Sequence, residues 1–217
     1  MHPAPIAVPE ADVGTTPAPP CDPGRILYQD RHLVVLDKPV GIPVIPGRDG
    51  GPSLSSQTGY LVCHRLDRDT SGVLVMARSA AGQRLMSIAF AEGKVEKHYL
   101  AVVTAPIVDE VTVEVPLGEW RRGRVQIGQG KACRTTFTRL WSTPDGRNGV
   151  HARPTTGRTH QIRAHLCSLG APILGDIDYG GKPARRIHLH AWRVVLPWPG
   201  AADRLVIEAP APEGFEP

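Results

Sequence analysis

Residues 60–77 read Tyr60-Leu61-Val62-Cys63-His64-Arg65-Leu66-Asp67-Arg68-Asp69-Thr70-Ser71-Gly72-Val73-Leu74-Val75-Met76-Ala77. Two short apolar runs enclose nine mostly polar residues. Runs of this length, bounded by turn formers, predict buried strands rather than a helix. Asp69-Thr70-Ser71-Gly72 is enough to make the turn between them, so His64-Arg65-Leu66-Asp67 needs another reason. A carboxylate beside two arginines stays ionised at neutral pH even where water is excluded, which suits a nucleophile or base. A structural salt bridge at a strand end accounts for the same residues.

The pattern continues outward in both directions. Residues 25–28 and 32–37 predict a hairpin about Gln29-Asp30-Arg31. Residues 39–59 carry five Gly and four Pro and predict a loop with at most one turn near Leu54. Further strands are expected at 73–77, 97–104, 111–115, 133–141, 149–153, 187–196 and 204–208. Ser79 can cap a helix with Ala81, Leu85, Ile88 and Ala89 on its apolar face and Gly93 at its end. Thr159 can cap a second, with Ile162, Leu166 and Leu169 facing a core, Gly170 as the stop, and His160 and Arg163 together on a neighbouring face. Strands dominate and helices intervene irregularly, so the expected class is α+β with a largely antiparallel sheet.

The 217 residues are 41% hydrophobic, and no apolar run approaches the ~20 residues of a membrane-spanning helix. Residues 1–24 contain no Lys or Arg and seven of the 22 prolines, which predicts a disordered tail; 209–217 reads as a C-terminal tail. The segment between them, 25–208, is the expected domain and holds 25 basic and 16 acidic residues, a net charge of +9. Twenty of the basic residues are Arg, whose fork suits phosphate oxygens. A polyanionic partner and a coding bias toward Arg both account for this. Cys21, Cys63, Cys133 and Cys167 are scattered, with no C-x-x-C, and are expected to be reduced in the cytoplasm. His160, His165, His188 and His190 lack the carboxylate that would complete a metal set, so no metal is expected.

Three further clusters bear on chemistry. Pro154 to Arg163 is a Gly-containing loop running into a helix start, where free N–H groups, the helix dipole and Arg158 favour an anion. Lys97, Tyr99 and Ala101 share one face of a strand. Trp120, Arg121, Arg122, Arg124, Lys131, Arg134, Phe137 and Arg139 mix basic and aromatic residues as an RNA surface would, although a solvated hairpin would look the same. Asp67 and Asp69, ~7 Å apart if they share a strand face, fall within the carboxylate range of an inverting glycosidase. The arginines around them argue against a sugar polymer.

Taken together, the clusters resemble the RluA-type pseudouridine synthases, in the short form without an S4 domain. The resemblance runs through Lys38-Pro39-x-Gly41, His64-Arg65-Leu66-Asp67 with Thr70-Ser71-Gly72, Lys97-x-Tyr99-x-Ala101 and Gly157-Arg158-Thr159-His160-Gln161-Ile162-Arg163. It continues through His165-Leu166, Pro172-Ile173-Leu174-Gly175-Asp176, Tyr179-Gly180 and Leu189-His190-Ala191. It implies a mixed, largely antiparallel sheet flanked by helices around a central RNA-binding cleft. The implied activity is isomerisation of specific uridines to pseudouridine in ribosomal RNA or a tRNA stem-loop, by a monomer with no metal or cofactor. By the same resemblance Asp67 is the nucleophile, Arg163 pairs with it, and Tyr99 stacks on the uracil and exchanges the proton at C5. The uridine is flipped out, Arg65 fills the gap in the stack, and Arg158 holds a phosphate. His160, Arg121, Arg122 and Arg124 complete the expected RNA contacts.

Overall fold

The hairpin of β1 (Arg25–Gln29) and β2 (Leu33–Lys38) forms around an Asx turn: Asp30 Oδ1 accepts from the N–H groups of His32 and Leu33, each at 2.7 Å. The computed structural model describes residues 24–47, 50–198 and 204–217. The expected disorder of the N-terminal tail concerns residues that, except for Gly24, lie outside the described ones. After the hairpin come α1 (Leu54–Thr58), β3 (Leu61–Val62), β4 (Ser71–Ala77), α2 (Ala80–Ala91), β5 (Glu96–Val103) and β6 (Glu110–Val113). They are followed by β7 (Leu117–Arg121), β8 (Arg124–Ile127), β9 (Thr135–Ser142), β10 (Asn148–Pro154) and α3 (Gln161–Ser168). A 3-10 turn (Ile177–Tyr179), β11 (Leu189–Leu196) and β12 (Leu205–Glu208) complete the described chain.

Ten strands make one sheet in the order β1-β2-β4-β11-β5-β10-β9-β6, with β12 on β11 and β3 on β4; β7 and β8 pair separately. All these pairings are antiparallel except β4 with β11, which runs parallel at Ser71↔His190 and Gly72↔Ala191. There the backbones come so close that a Cβ on Gly72, at φ +104°, would lie 2.2 Å from the Ala191 carbonyl oxygen. The α+β expectation therefore holds.

β2 and β4 are buried on both faces, which is why they read as continuous apolar runs rather than alternating ones. Leu33, Val35, Val73 and Val75 face Met86 and Ala89 of α2. Val34, Leu36, Leu74 and Met76 face Leu54 of α1 and Leu66. A third cluster joins Val103, Phe137 and Val150 to Ile162 and Leu166 of α3.

The structure corrects three expectations. Ser79 caps α2 as expected, accepting from Gly82 N–H, but the buried face is Gly82, Met86 and Ala89, while Leu85 and Ile88 stand exposed. Gly82 sits where a Cβ would be 2.5 Å from the His32 carbonyl, so the helix turns its smallest residue to the hairpin. Second, α3 begins one residue later than expected. His160, left-handed at φ 54°, takes the cap position that Thr159 was assigned, and Leu169 is exposed. Third, 209–217 is not a free tail. The N–H of Ala209 bonds to the Trp192 carbonyl, and Phe215, 7% exposed, packs on His188, His190 and the Arg186 guanidinium.

That last packing gives a measurable consequence. Arg186 also donates to Ser71 Oγ at 2.5 Å, at the start of β4. Phe215→Ala is expected to cost about 3 kcal/mol, read as a lowered urea midpoint with an unchanged m-value.

Candidate active site

Asp67 lies on the loop between β3 and β4. Leu66 anchors that loop in the core at 6% exposure, and the Thr70 N–H closes a turn on the Asp67 carbonyl at 3.1 Å. The next carbonyl, of Arg68, accepts from Gly41 N–H at 3.0 Å and from Lys38 Nζ at 2.9 Å. Lys38 is fully buried, and its Nζ also donates to the carbonyls of Pro39 and Ile42. Burial pushes its pKa down to about 8, against the opposing pull of Asp69 and Asp67. With three acceptors for three N–H bonds the ammonium is saturated, and it ties the Gly- and Pro-rich loop to the loop bearing Asp67.

The other polar residues of that cluster separate. His64 Nε2 accepts from the Val75 N–H at 2.9 Å and its ring stacks on Phe90; burial, aided by Lys97, pushes its pKa down to about 3. It is a neutral ring satisfying a strand. Asp69 turns to its exposed neighbour Arg68 at 3.3 Å, so the strand alternation that would pair it with Asp67 gives way to a turn.

Opposite Asp67 stands Arg163, on α3. Its Nε and Nη2 bind Asp176 Oδ2 and Oδ1 at 2.7 Å each, Nη2 also reaches Asp178 Oδ2 at 3.0 Å, and Nη1 faces Asp67 Oδ2 at 3.9 Å. Burial opposes this charge, but the bonds and charge of Asp176, with Asp67 and Asp178, hold the guanidinium above its ordinary pKa. Arg163 faces Asp67 as expected, but through one edge only: its fork belongs to Asp176, which is fully buried and for which no role was expected.

His160, expected among the RNA contacts, lines the same cavity and is held by partners within the protein. Its Nε2 lies 2.9 Å from Arg163 Nη1 and its Nδ1 3.1 Å from Tyr179 Oη. Burial keeps its pKa below the ordinary value despite Asp67, so the neutral ring accepts from Arg163 and donates to Tyr179. Both nitrogens are engaged within the protein. Tyr179 Oη in turn accepts from Val125 N–H at 2.9 Å, which fastens the β7–β8 hairpin to the 3-10 turn.

Tyr99 of β5 completes the group. It pairs with Ala191, which pairs with Gly72, so two inter-strand steps of ~4.8 Å carry it from the end of the Asp67 loop to the cleft floor. Burial and the charge of Asp67 raise its pKa, and the phenol stays protonated at neutral pH. Asp67, Tyr99, Arg163, Lys97, Arg65 and Arg158 line one cavity of about 530 Å³. Arg65 and Arg158 are exposed at its edge. Arg121, Arg122 and Arg124 project from the β7–β8 hairpin, Arg121 against Glu119, and the Gly123 tip lies beside Asp178.

Asp176, Asp178 and Tyr179 enter the site although no role was read for them in the sequence. The available signal was a buried-facing Arg163 lacking a local acid, with Asp176 the nearest downstream candidate, set in a Gly- and Ile-rich stretch.

Known proteins similar to this chain share one family name. The family model for RNA pseudouridylate synthase matches residues 32–168. A ribosomal large subunit pseudouridine synthase D of Nitrosomonas europaea is 34% identical over 88% of the chain, which spans 63% of that relative's length. The dual-specificity RNA pseudouridine synthase RluA of Escherichia coli is 36% identical over 89% of the chain and 96% of its own. The solved structure of human RNA pseudouridylate synthase domain containing 1 superposes with a TM-score of 0.71 at 27% identity, covering 92% of this chain and 86% of that one.

Removing one partner of a buried ion pair leaves the other uncompensated. Asp176→Asn is therefore expected to lower stability by about 3–5 kcal/mol, whereas Asp178→Asn, at a half-exposed carboxylate, should cost under about 1 kcal/mol. Equal urea midpoints for the two variants would contradict the assignment of the fork to Asp176.

Proposed function

The chain belongs to the RNA pseudouridylate synthase family, in its RluA-type branch, and from that premise we propose that it converts uridine in RNA to pseudouridine with Asp67 as nucleophile. The observation that carries this reading is the placement of one carboxylate 3.9 Å from a buried, fully braced guanidinium, in a cavity that Tyr99 shares. A base stacked in a helix does not expose its glycosidic bond, so the target nucleotide enters the cleft flipped out. The C1′–N1 bond breaks, the ring turns, C5 bonds to C1′, C5 loses its proton and N1 gains one. Atoms and electrons balance without a redox partner.

Arg163 sets a fixed positive charge beside Asp67 and orients it. Tyr99 offers its ring to the uracil, and its raised pKa makes it a proton donor or relay rather than a resident base. For Tyr99 to take the C5 proton it must first give up its own, and N1, which gains a proton in the same reaction, is the acceptor that balances the exchange. Arg65 takes the vacated place in the stack, Arg158 holds a phosphate, and Arg121, Arg122 and Arg124 carry the flanking RNA backbone. The proposed substrates are ribosomal RNA and a tRNA stem-loop, bound by a single copy of the chain.

Tritium release from C5-labelled uridine, in tRNA and ribosomal RNA lacking the modification, tests the reading. Wild type should release tritium, and Asp67→Ala should lose more than about 10³-fold in rate while keeping RNA affinity. An Asp67→Ala protein that retains turnover would remove Asp67 from the chemistry. Tight binding with no release by wild type would favour an RNA-binding protein without catalysis.

Replacing Arg121, Arg122 and Arg124 together by Ala should weaken binding and reduce the slope of log K against log salt by about 2. An unchanged slope would place the hairpin outside the RNA interface.

A further inference from the structure

Lys97 is a further cation in the cleft, and no role above in the chemistry belongs to it. It stands two residues before Tyr99 on the same face of β5 and lines the same cavity. Its Nζ donates to the Thr156 carbonyl at 2.9 Å, leaving two N–H bonds without an acceptor among the described residues. Lys38, by contrast, has three carbonyl acceptors, and Arg163 has three carboxylates around it. Burial lowers the basicity of Lys97 and no carboxylate offsets it. Half-buried on the cavity wall, it has donors free for an acceptor on a bound substrate.

The direction of the strand identifies the acceptor. Tyr99 lies opposite Ala191, at the end of the sheet where the Asp67 loop enters β4; Lys97 lies opposite Val194, two residues or ~7 Å farther along β5 from that end. In uridine, the oxygen at C4 is the ring substituent farthest from C1′. With C1′ at Asp67 and the ring on Tyr99, O4 points along β5 toward Lys97. Charge also develops there whichever carbon the carboxylate attacks. If C1′ is attacked, the C1′–N1 electron pair leaves with the ring and delocalises onto O2 and O4. If C6 is attacked, the C5=C6 pair moves to form the enolate at O4.

Resting on the uridine-isomerase reading, we propose that Lys97 is a further catalytic residue: its ammonium donates to O4 of the flipped uracil and stabilises the negative charge that develops there. An ammonium has only donors, so it also disfavours cytidine, which presents an amino group at that position. On reattachment at C5 the ring returns to neutrality and the contact weakens, which assists release.

The test uses the full-length protein under single-turnover conditions at saturating C5-tritiated RNA, alongside RNA binding in a salt series. Lys97→Met should slow the chemical step about 10²-fold, in the range for loss of one preorganised charge-stabilising donor, with RNA affinity and salt slope near wild type. Lys97→Arg should recover part of the rate. An RNA carrying 4-thiouridine at the target, a weaker acceptor, should slow wild type yet leave Lys97→Met no slower than it is on uridine; the wild-type arm needs no variant to fold. A Lys97→Met protein with wild-type rate at saturation would overturn the inference, and one changed only in affinity and salt slope would in addition assign Lys97 to a phosphate. Absence of turnover by wild type itself would instead overturn the isomerase reading, and this inference with it.

Discussion

Arg163 and Asp176 meet through two bonds of 2.7 Å in a place where the guanidinium is 5% exposed and the carboxylate not at all. Burying two charges is costly, and a pair of this kind contributes little net stability against a well-packed apolar alternative. Its value is geometric. Two of the three nitrogens of the guanidinium are fixed by Asp176, and Nη1 is left with one direction to face, toward Asp67 and His160. Because Asp176, Asp178 and Tyr179 sit within four consecutive residues, one short turn sets the Arg163 fork, braces its outer edge and holds His160 and the β7–β8 hairpin.

The sheet supplies the other half of the arrangement. Asp67 enters just before β4 and Tyr99 lies two strands away, so their separation is set by the β4–β11–β5 order, and β11 between them presents only the small Ala191. Close parallel approach at Gly72 requires the absence of a side chain. Behind it, Ser71 Oγ contacts His190 Nδ1 and accepts from Arg186, and Phe215 covers both. The C-terminal segment thus stiffens the strand start that follows the Asp67 turn.

Much of this was readable from the residues. The apolar runs around His64 to Gly72 specified β4 and its neighbour, and Asp67, Tyr99 and Arg163 do share one cavity. What failed was whatever depended on rotation about a helix or on partners distant in sequence. Leu85 and Ile88 look like a core face by spacing, yet Gly82 turns inward because β1–β2 approaches too closely for a larger residue. His160 and Arg158 carry the same kind of charge signal, but only the structure shows His160 between Arg163 and Tyr179 with both nitrogens used. The segment after Glu208 looked like a tail because its Pro and Gly content masks a single anchoring Phe215.

The 3.9 Å between Arg163 and Asp67 has a chemical meaning that a shorter contact would not have. A carboxylate gripped by a guanidinium fork at 2.7 Å has its lone pairs committed to strong charge-assisted bonds, and attack on carbon would require breaking them. Here the fork is committed to Asp176, so Asp67 feels the field of a fixed cation without being bonded by it. His160, also 3.9 Å from Asp67, is kept neutral by burial and adds no second cation. Entry of a base excludes water from an Asp67 that is already only 22% exposed, and in that drier cleft the field of Arg163 strengthens while the lone pairs stay free. A group that must stay charged until it attacks, and must then give up that charge, is served by a strong field and a loose hold.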